Sequence, residues 1–178
     1  KINLRLNDGP LNKQIWSGSY SGEWKTNEIF EIQSKVAENV ANIMNVKLTE
    51  RDYDAFTGIP TKSEEAYNYY LLAEYQNNKF NQTSFKNAIP LYEKAFAMDS
   101  TFVEPLLGLA DIYVTGGAVW GLYGEQEAWR NAKFYLQKAS AIDGENVRLS
   151  DQLFVGKFYF EWDFEAVEQY ISDNYAHK

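Results

Sequence analysis

Acidic side chains are the most numerous chemically active groups in this sequence. The chain has 25 Asp and Glu residues against 17 Lys and Arg residues, and its formal net charge is −8 at pH 7. Glu50, Asp52 and Asp54 alternate along one stretch, as the oxygen ligands of a calcium-binding loop do. The acidic row stops at Ala55, which favours a solvated surface, with a weak cation site as the alternative.

Residues for covalent or phosphate chemistry are scarce. The sequence has no cysteine, and its single histidine is His177, so it offers neither a thiolate nucleophile nor a Ser–His triad. A glycine-rich stretch contains Thr115, Gly116, Gly117 and Gly121, but it lacks the lysine of a phosphate-binding loop. We interpret it as a flexible connector rather than a phosphate cradle. The sequence therefore predicts no catalytic residue, no metal site and no cofactor.

The negative charge limits the partners that the chain can attract. It disfavours direct contact with nucleic acid and docking on an anionic membrane, but it is compatible with a basic peptide. No run of about 18 apolar residues is present, so we expect no membrane span. The chain begins at Lys1, and we interpret it as a piece of a longer protein. Without a visible export signal we expect a cytoplasmic location, the alternative being the extracytoplasmic part of a membrane-anchored regulator.

Two similar segments indicate which elements must position any site. AIPLYEKAFAMD spans 88–99 and AKFYLQKASAID spans 132–143, exactly 44 residues later along the chain. In each segment small residues at i and i+7 flank a larger apolar residue at i+4, which places all three on one face of a helix. We predict that the small residues let a neighbouring helix approach closely; they are Ala88, Ala95, Ala132 and Ala139.

Apolar residues before and after these segments predict their partner helices. The three predicted helix pairs cover about 62–101, 102–145 and 146–178. The first helices are marked by apolar residues at spacings of one, three and four, namely Tyr67, Tyr70, Leu71, Leu106, Leu109, Ala110, Tyr113, Val155, Gly156 and Tyr159. The sequence therefore predicts a mainly α fold over 59–178, a stack of antiparallel helix pairs.

This pattern resembles the tetratricopeptide repeat, whose first helix carries W-x2-L-G-x2-Y and whose second carries A-x3-F-x2-A. The resemblance implies a superhelix whose first helices line a groove that binds a protein or peptide. The partner-binding residues that it implies are Glu65, Asn68, Leu72, Tyr75, Gln76, Glu104, Leu107, Asp111, Val114, Leu153, Lys157 and Phe160. Their apolar and acidic mixture suits a peptide with a basic residue. The alternative is an array without a groove that packs on the N-terminal half.

A longer connection distinguishes the middle helix pair, because the step of 44 residues exceeds the family period of about 34. The additional residues fall in VTGGAVWGLYGEQ, at 114–126. Its aromatic residues form a second candidate surface, the alternative being a plug that folds inward over the helices. The residues in question are Val119, Trp120, Leu122, Tyr123 and Trp129.

The N-terminal segment 1–58 predicts a β-hairpin followed by one helix. Residues 1–8 and 14–22 alternate as strands do, and apolar residues then step at three and four from Ile29 to Met44. The segment resembles the end of a TolB-amino-terminal-like domain, through Trp16, Tyr20, Ile29, Phe30, Gln33, Val36 and Ala37. The resemblance implies a place directly before tetratricopeptide repeats in bacterial signalling proteins. The exposed edge of the first strand would allow a homodimer.

These features together predict a non-catalytic protein-interaction and regulatory module of a bacterial signalling protein. It would bind a protein or peptide partner through the concave face of its repeats. Two alternatives remain open. The chain could be the non-catalytic end of an adenylate cyclase-like enzyme, or a small-ligand sensor that uses its aromatic residues.

Overall fold

The computed structural model describes residues 1–21, 26–45 and 60–175. The chain divides into two compact units, Lys1–Glu64 and Glu65–Lys178. The boundary predicted between residues 58 and 59 lies outside the described residues, as do the acidic row at 50–54 and His177. Within the described ranges, we find no helix with the length and apolar character needed to cross a membrane.

The first unit contains a β-hairpin and one helix. Strand β1 (Ile2–Asp8) pairs antiparallel with β2 (Lys13–Tyr20), and helix α1 spans Thr26–Ile43. The register places Leu6 opposite Trp16 on the half-buried face. Both strands and the helix lie where the alternating and helical patterns predicted them. The described residues form a two-stranded sheet, and pairing of its edge with a second copy stays a prediction.

The second unit is a series of helices. They are α2 (Glu64–Asn77), α3 (Gln82–Met98), α4 (Glu104–Ala118), α5 (Glu125–Ile142), α6 (Val147–Gly156) and α7 (Phe164–Tyr175), and one π-helical turn (Lys157–Glu161) extends α6. The fold class is confirmed. The described chain is mainly helical, with a β-hairpin and one helix followed by a stack of helix pairs.

Close packing between helices depends on small residues, as predicted. All four alanines of the repeated segments, Ala88, Ala95, Ala132 and Ala139, are fully buried. Glycines add further close contacts, because a Cβ built on Gly108 would overlap the ring of Tyr92. These buried small residues let the helix axes approach until their larger neighbours interlock.

Local hydrogen bonds fix the helix ends at the positions that the repeated segments indicate. Asn81 and Ser84 form a capping box at the start of α3, which satisfies backbone donors there. Asp99 and Asp143 end α3 and α5, and each carboxylate accepts a hydrogen bond from a backbone N–H two residues later. Both acids therefore have a structural role in the turns.

The glycine-rich stretch differs from its prediction. Helix α4 continues through Gly116 and Gly117 to Ala118, so the first part of the stretch is not a flexible connector. Both glycines are buried, and a Cβ on Gly117 would overlap that of Ala128 in α5. Glycine is required here because the two helices are in contact. The stabilisation from this contact outweighs the cost of glycine in a helix, which is roughly 1 kcal/mol relative to alanine.

Candidate functional site

The residues predicted on the first helix of the first pair remain largely exposed. Glu65, Asn68, Leu72 and Tyr75 lie on the solvent-facing side of α2, and Tyr75 is 63% exposed. Gln76 is half-buried and accepts a hydrogen bond from Lys79. Their role in binding a partner stays a prediction.

The predicted residues on α4 divide into two groups. Leu107 and Val114 are buried in the hydrophobic core, so their side chains present almost no surface to a partner. Glu104 and Asp111 are half-buried and lie at the surface between helices.

The predicted residues on α6 and its π-helical extension mostly pack inward. Leu153 and Phe160 contact the same core, and the Phe160 ring stacks on Trp129 with centroids 5.6 Å apart. Lys157 pairs with Asp163 at 3.9 Å. Partner contacts by these three residues also stay predictions.

The face that α2 turns toward α4 is shifted from the predicted one. Leu71 is 39% exposed, whereas Ala73 is fully buried, as is Ala110 on α4. The sequence carries a signal for this register, because 72–74 reads Leu-Ala-Glu and 109–111 reads Leu-Ala-Asp. In this register Glu74 corresponds to Asp111.

An acidic face extends across the first helices of the three pairs. We call it the first-helix face and define it by Tyr70, Glu74 and Asn77 on α2, Glu104 and Asp111 on α4, and Arg148 and Gln152 on α6. The spacings of three, four and seven residues place each group on one side of its helix. When ionised, these groups carry three negative charges and one positive charge.

Hydrogen bonds hold the acids of this face in place. The Tyr92 hydroxyl, which is buried, donates to Glu74 Oε1 at 2.6 Å. Asp111 accepts from Asn77 Nδ2 at 3.3 Å and from the Thr115 hydroxyl at 3.4 Å. The carboxylates are therefore positioned by partners on three different helices.

The pKa values at this face reflect the partial burial of its charges. Burial raises the pKa of Glu104 above its ordinary value of 4.5, and the nearby Arg148 only partly offsets this. Loss of water lowers the pKa of Arg148, but the neighbouring Tyr70 and Glu74 raise it by more, so the net shift is upward. Part of the Arg148 residue is nevertheless exposed to solvent. This guanidinium therefore stays charged among acidic neighbours.

Two amide oxygens at this face have no partner among the described residues. Asn77 is 9% exposed; its Nδ2 donates to Asp111, which fixes the orientation of the amide and leaves Oδ1 unpaired. Gln152 Nε2 donates to the carbonyl of Leu107 at 2.9 Å, and its buried Oε1 is likewise unpaired. A buried acceptor without a donor costs about 1–3 kcal/mol. In many proteins an ordered water molecule pairs a buried group of this kind.

The aromatic connection between α4 and α5 combines both predicted arrangements. Val119 and Trp120 are exposed, as a surface would require. Leu122 and Tyr123 are half-buried and Trp129 is buried, which is the inward arrangement. Val119 and Trp120 are therefore the two side chains of this set that remain available for contact with a partner.

An open groove of about 520 Å³ lies along α5. Its lining joins two aromatic rings with basic side chains, and Lys133 lies over the ring of Trp129 at 5.2 Å. The lining residues are Gln126, Trp129, Arg130, Lys133, Phe134 and Gln137. Its positive charge distinguishes it from the first-helix face.

Comparison with known proteins gives no match to a family model, a curated protein or a solved structure. In the described part of the chain, no three His, Asp or Glu side chains are grouped to hold a metal ion. The acids of the first-helix face are instead engaged by Tyr, Asn and Thr donors. The arrangement can hold an external hydrogen-bond donor of positive charge.

Proposed function

We propose that this chain is a non-catalytic module that binds a protein or peptide partner on its first-helix face. The observation that carries the proposal is the uneven charge of this face, where Glu74, Glu104 and Asp111 lie near the single guanidinium of Arg148. A surface of this charge attracts a partner that carries basic residues. It therefore supports a protein or peptide ligand of positive charge.

The arrangement of the helices supports an extended ligand. Glu74, Asp111 and Arg148 come from three successive helix pairs, so a segment of chain crossing α2, α4 and α6 could meet all of them. The half-buried ring of Tyr70, on the same side of α2 as Glu74, would then offer an apolar contact to the same partner. Grooves on stacked helix pairs bind peptides in this manner.

The wider role proposed from the two sequence resemblances is regulatory. The module would belong to a bacterial signalling protein, in the cytoplasm, and relay partner binding to an output domain elsewhere in the parent protein. Attachment to an adenylate cyclase-like enzyme remains the alternative parent, and a homodimer through the edge of β1 is a further part of the proposal.

A small-ligand sensor is the second candidate, and the groove along α5 favours it. Its Trp129 and Phe134 rings and its basic side chains suit a planar anion. The two candidates differ in place and in charge, so one experiment can separate them.

The test is a binding screen with the full chain against pools of fluorescein-labelled nonapeptides, read by fluorescence anisotropy. We expect at least one pool to bind. A Glu74→Gln and Asp111→Asn double substitution, which removes two charges of the first-helix face and keeps the side-chain shapes, should abolish that binding. The matched control is Phe134→Glu in the α5 groove, which should bind peptides normally. Loss of binding in the control but not in the double variant would contradict the proposal.

A further inference from the structure

The π-helical turn and the start of α7 expose four aromatic side chains, which we call the aromatic patch. The exposed fractions are 41% for Phe158, 54% for Tyr159, 71% for Trp162 and 51% for Phe164. The rings form one series in the order Tyr159, Phe158, Phe164, Trp162, with successive centroids 5.0, 6.2 and 6.1 Å apart. The exposed area is roughly 400–500 Å², and contiguous apolar surfaces of this size often have a function in binding.

Trp162 occupies a backbone conformation that disfavours a bulky residue. It ends the π-helical turn with φ +55° and ψ +30°, in the left-handed region that glycine adopts most easily. Its side chain is the most exposed of the patch, so the ring gains little from burial. Phe80 has the same φ, but its ring packs on the buried Phe85 with centroids 5.8 Å apart. Stability of the fold therefore accounts for Phe80 better than for Trp162.

We propose that the aromatic patch docks a proline-rich peptide in the polyproline II conformation, with a basic residue at its end. This inference goes beyond the proposed function, because the patch shares no residue with the first-helix face. Successive rings are inclined at 89°, 79° and 76°, so the patch presents notches between ring faces and ring edges rather than a flat platform. Surfaces lined by aromatic rings bind proline-rich segments by receiving their side chains between the rings.

The spacing of the two outer notches fits this conformation. One notch lies between Tyr159 and Phe158, and the other lies between Phe164 and Trp162. The centroid spacings limit the distance between the midpoints of these notches to about 12 Å. Prolines three residues apart in a polyproline II helix lie on one side of it, about 9.3 Å from each other. Two such prolines can therefore occupy both notches.

Hydrogen-bond donors at the patch suit the same ligand. The Tyr159 hydroxyl and the Trp162 indole N–H have no hydrogen-bond partner among the described residues. A polyproline II backbone makes no internal hydrogen bonds, so its carbonyl groups are free to accept from these donors. A second copy of the chain fits less well, because each partner of a stable interface buries about 800 Å².

The charge beside the patch favours a basic end on the peptide. Glu168 is exposed and lies one turn after Phe164 on the same side of α7. The one cation between residues 149 and 175 is Lys157, which is already paired with Asp163 at 3.9 Å. Glu168 has no ion pair within the described part of the chain. An arginine at the end of the peptide would supply one.

The experiment measures binding of three fluorescein-labelled decapeptides to the full chain by fluorescence anisotropy. The first has two prolines separated by two residues and an arginine at each end, so that either orientation places one arginine beside Glu168. The second has alanine in place of both prolines, and the third has glutamine in place of both arginines. We expect the first to bind at least about tenfold more tightly than the second. It should bind about two- to threefold more tightly than the third, because Glu168 is exposed.

Two variants locate this binding at the patch. Trp162→Gly should weaken binding of the first peptide about tenfold or more and should leave the chain folded, because glycine adopts a φ of +55° without strain. Glu168→Gln should remove the preference for arginine over glutamine. The matched control is Phe80→Gly, which removes an aromatic side chain at the same φ outside the patch and should leave binding unchanged. Circular dichroism at 222 nm confirms that each variant is folded.

The outcomes separate this site from the proposed function. Equal binding of the first and second peptides, or binding that survives Trp162→Gly, would overturn the proposal. A dimer in analytical ultracentrifugation, or co-sedimentation with phosphatidylcholine vesicles, would overturn it if either is lost in Trp162→Gly, because the patch would then hold a second copy or a membrane. The Glu74→Gln and Asp111→Asn double variant should bind the first peptide as the wild type does, so failure at either surface leaves the other untouched.

Discussion

Gly156→Ala perturbs a close helix contact in the second unit, and we expect it to destabilise the stack by about 1.5–3.5 kcal/mol. Gly156 ends α6 against the indole of Trp129 on α5. A Cβ at this position would lie less than 3.0 Å from three atoms of the ring, closer than carbon atoms can approach. The ring, the helix or both must therefore move.

The magnitude follows from what the movement breaks. The ring must withdraw by about 1.5 Å to reach ordinary carbon contact, and overpacking of this kind costs about 1–3 kcal/mol. Trp129 Nε1 donates to Glu161 Oε1 at 2.7 Å, and a shift of that size would break this bond, a further loss of about 1.5 kcal/mol. The higher helix propensity of alanine offsets roughly 1 kcal/mol of this destabilisation.

Urea unfolding followed by circular dichroism at 222 nm measures the loss, as a lower midpoint with an unchanged slope. The matched control is Gly124→Ala, because a Cβ there meets no atom within 4 Å, and its effect should stay within about 0.5 kcal/mol. In a Trp129→Leu background, which removes the ring, Gly156→Ala should cost much less. A Gly156→Ala variant as stable as the wild type would refute the packing described for α5 and α6.

Two further predictions concern the first-helix face. Tyr92→Phe removes the hydroxyl that donates to Glu74, and it should lower the free energy of unfolding by about 1–2 kcal/mol in the same urea assay. Tyr75→Phe, at an exposed position, is the control. An unchanged unfolding midpoint for Tyr92→Phe would contradict the hydrogen bond. Glu104→Gln should change the pH dependence of stability. Burial raises the folded-state pKa of Glu104 above 4.5, so the folded chain holds this proton more tightly than the unfolded chain does. The wild type therefore loses stability as pH rises from about 4.5 through the folded pKa, and the variant should lack this loss; parallel pH profiles for variant and wild type would contradict it.

The second helices of the first two pairs are the part of the fold that the sequence predicts best. Alanines seven residues apart around a large apolar residue have few arrangements other than a helix packed closely on its neighbours, and Ala88 and Ala139 are buried accordingly. The β-hairpin is equally direct, because alternation with a period of two is incompatible with a helix face.

The register of α2 could not be read from its apolar residues. Tyrosine and leucine occur on several sides of this helix, so the apolar pattern alone does not say which of them face the core. The structure buries Tyr67 and Ala73 and leaves Leu71 and Leu72 39% and 52% exposed. The helix through Gly116 was missed for a related reason, because glycine favours a loop unless a neighbouring helix requires its small size.

The candidate site shows a further limit of sequence reasoning. The resemblance to the tetratricopeptide repeat predicts Glu104 and Asp111, whereas it does not predict Asn77, Arg148 and Gln152. These three come from helices about 70 residues apart, and their relation to Asp111 depends on how α2 and α6 pack on α4. An unpaired amide oxygen is a property of packing, and a linear sequence carries no sign of it.

The side-chain amide signals of Asn77 and Gln152 provide the most direct measurement of partner binding at the first-helix face. In a titration of ¹⁵N-labelled chain with a nonapeptide that binds in the anisotropy screen, both signals should shift together and saturate with the affinity measured by anisotropy. Peptide binding that leaves both amides unmoved, while backbone signals shift around Arg130 and Phe134, would place the partner in the α5 groove and contradict the account.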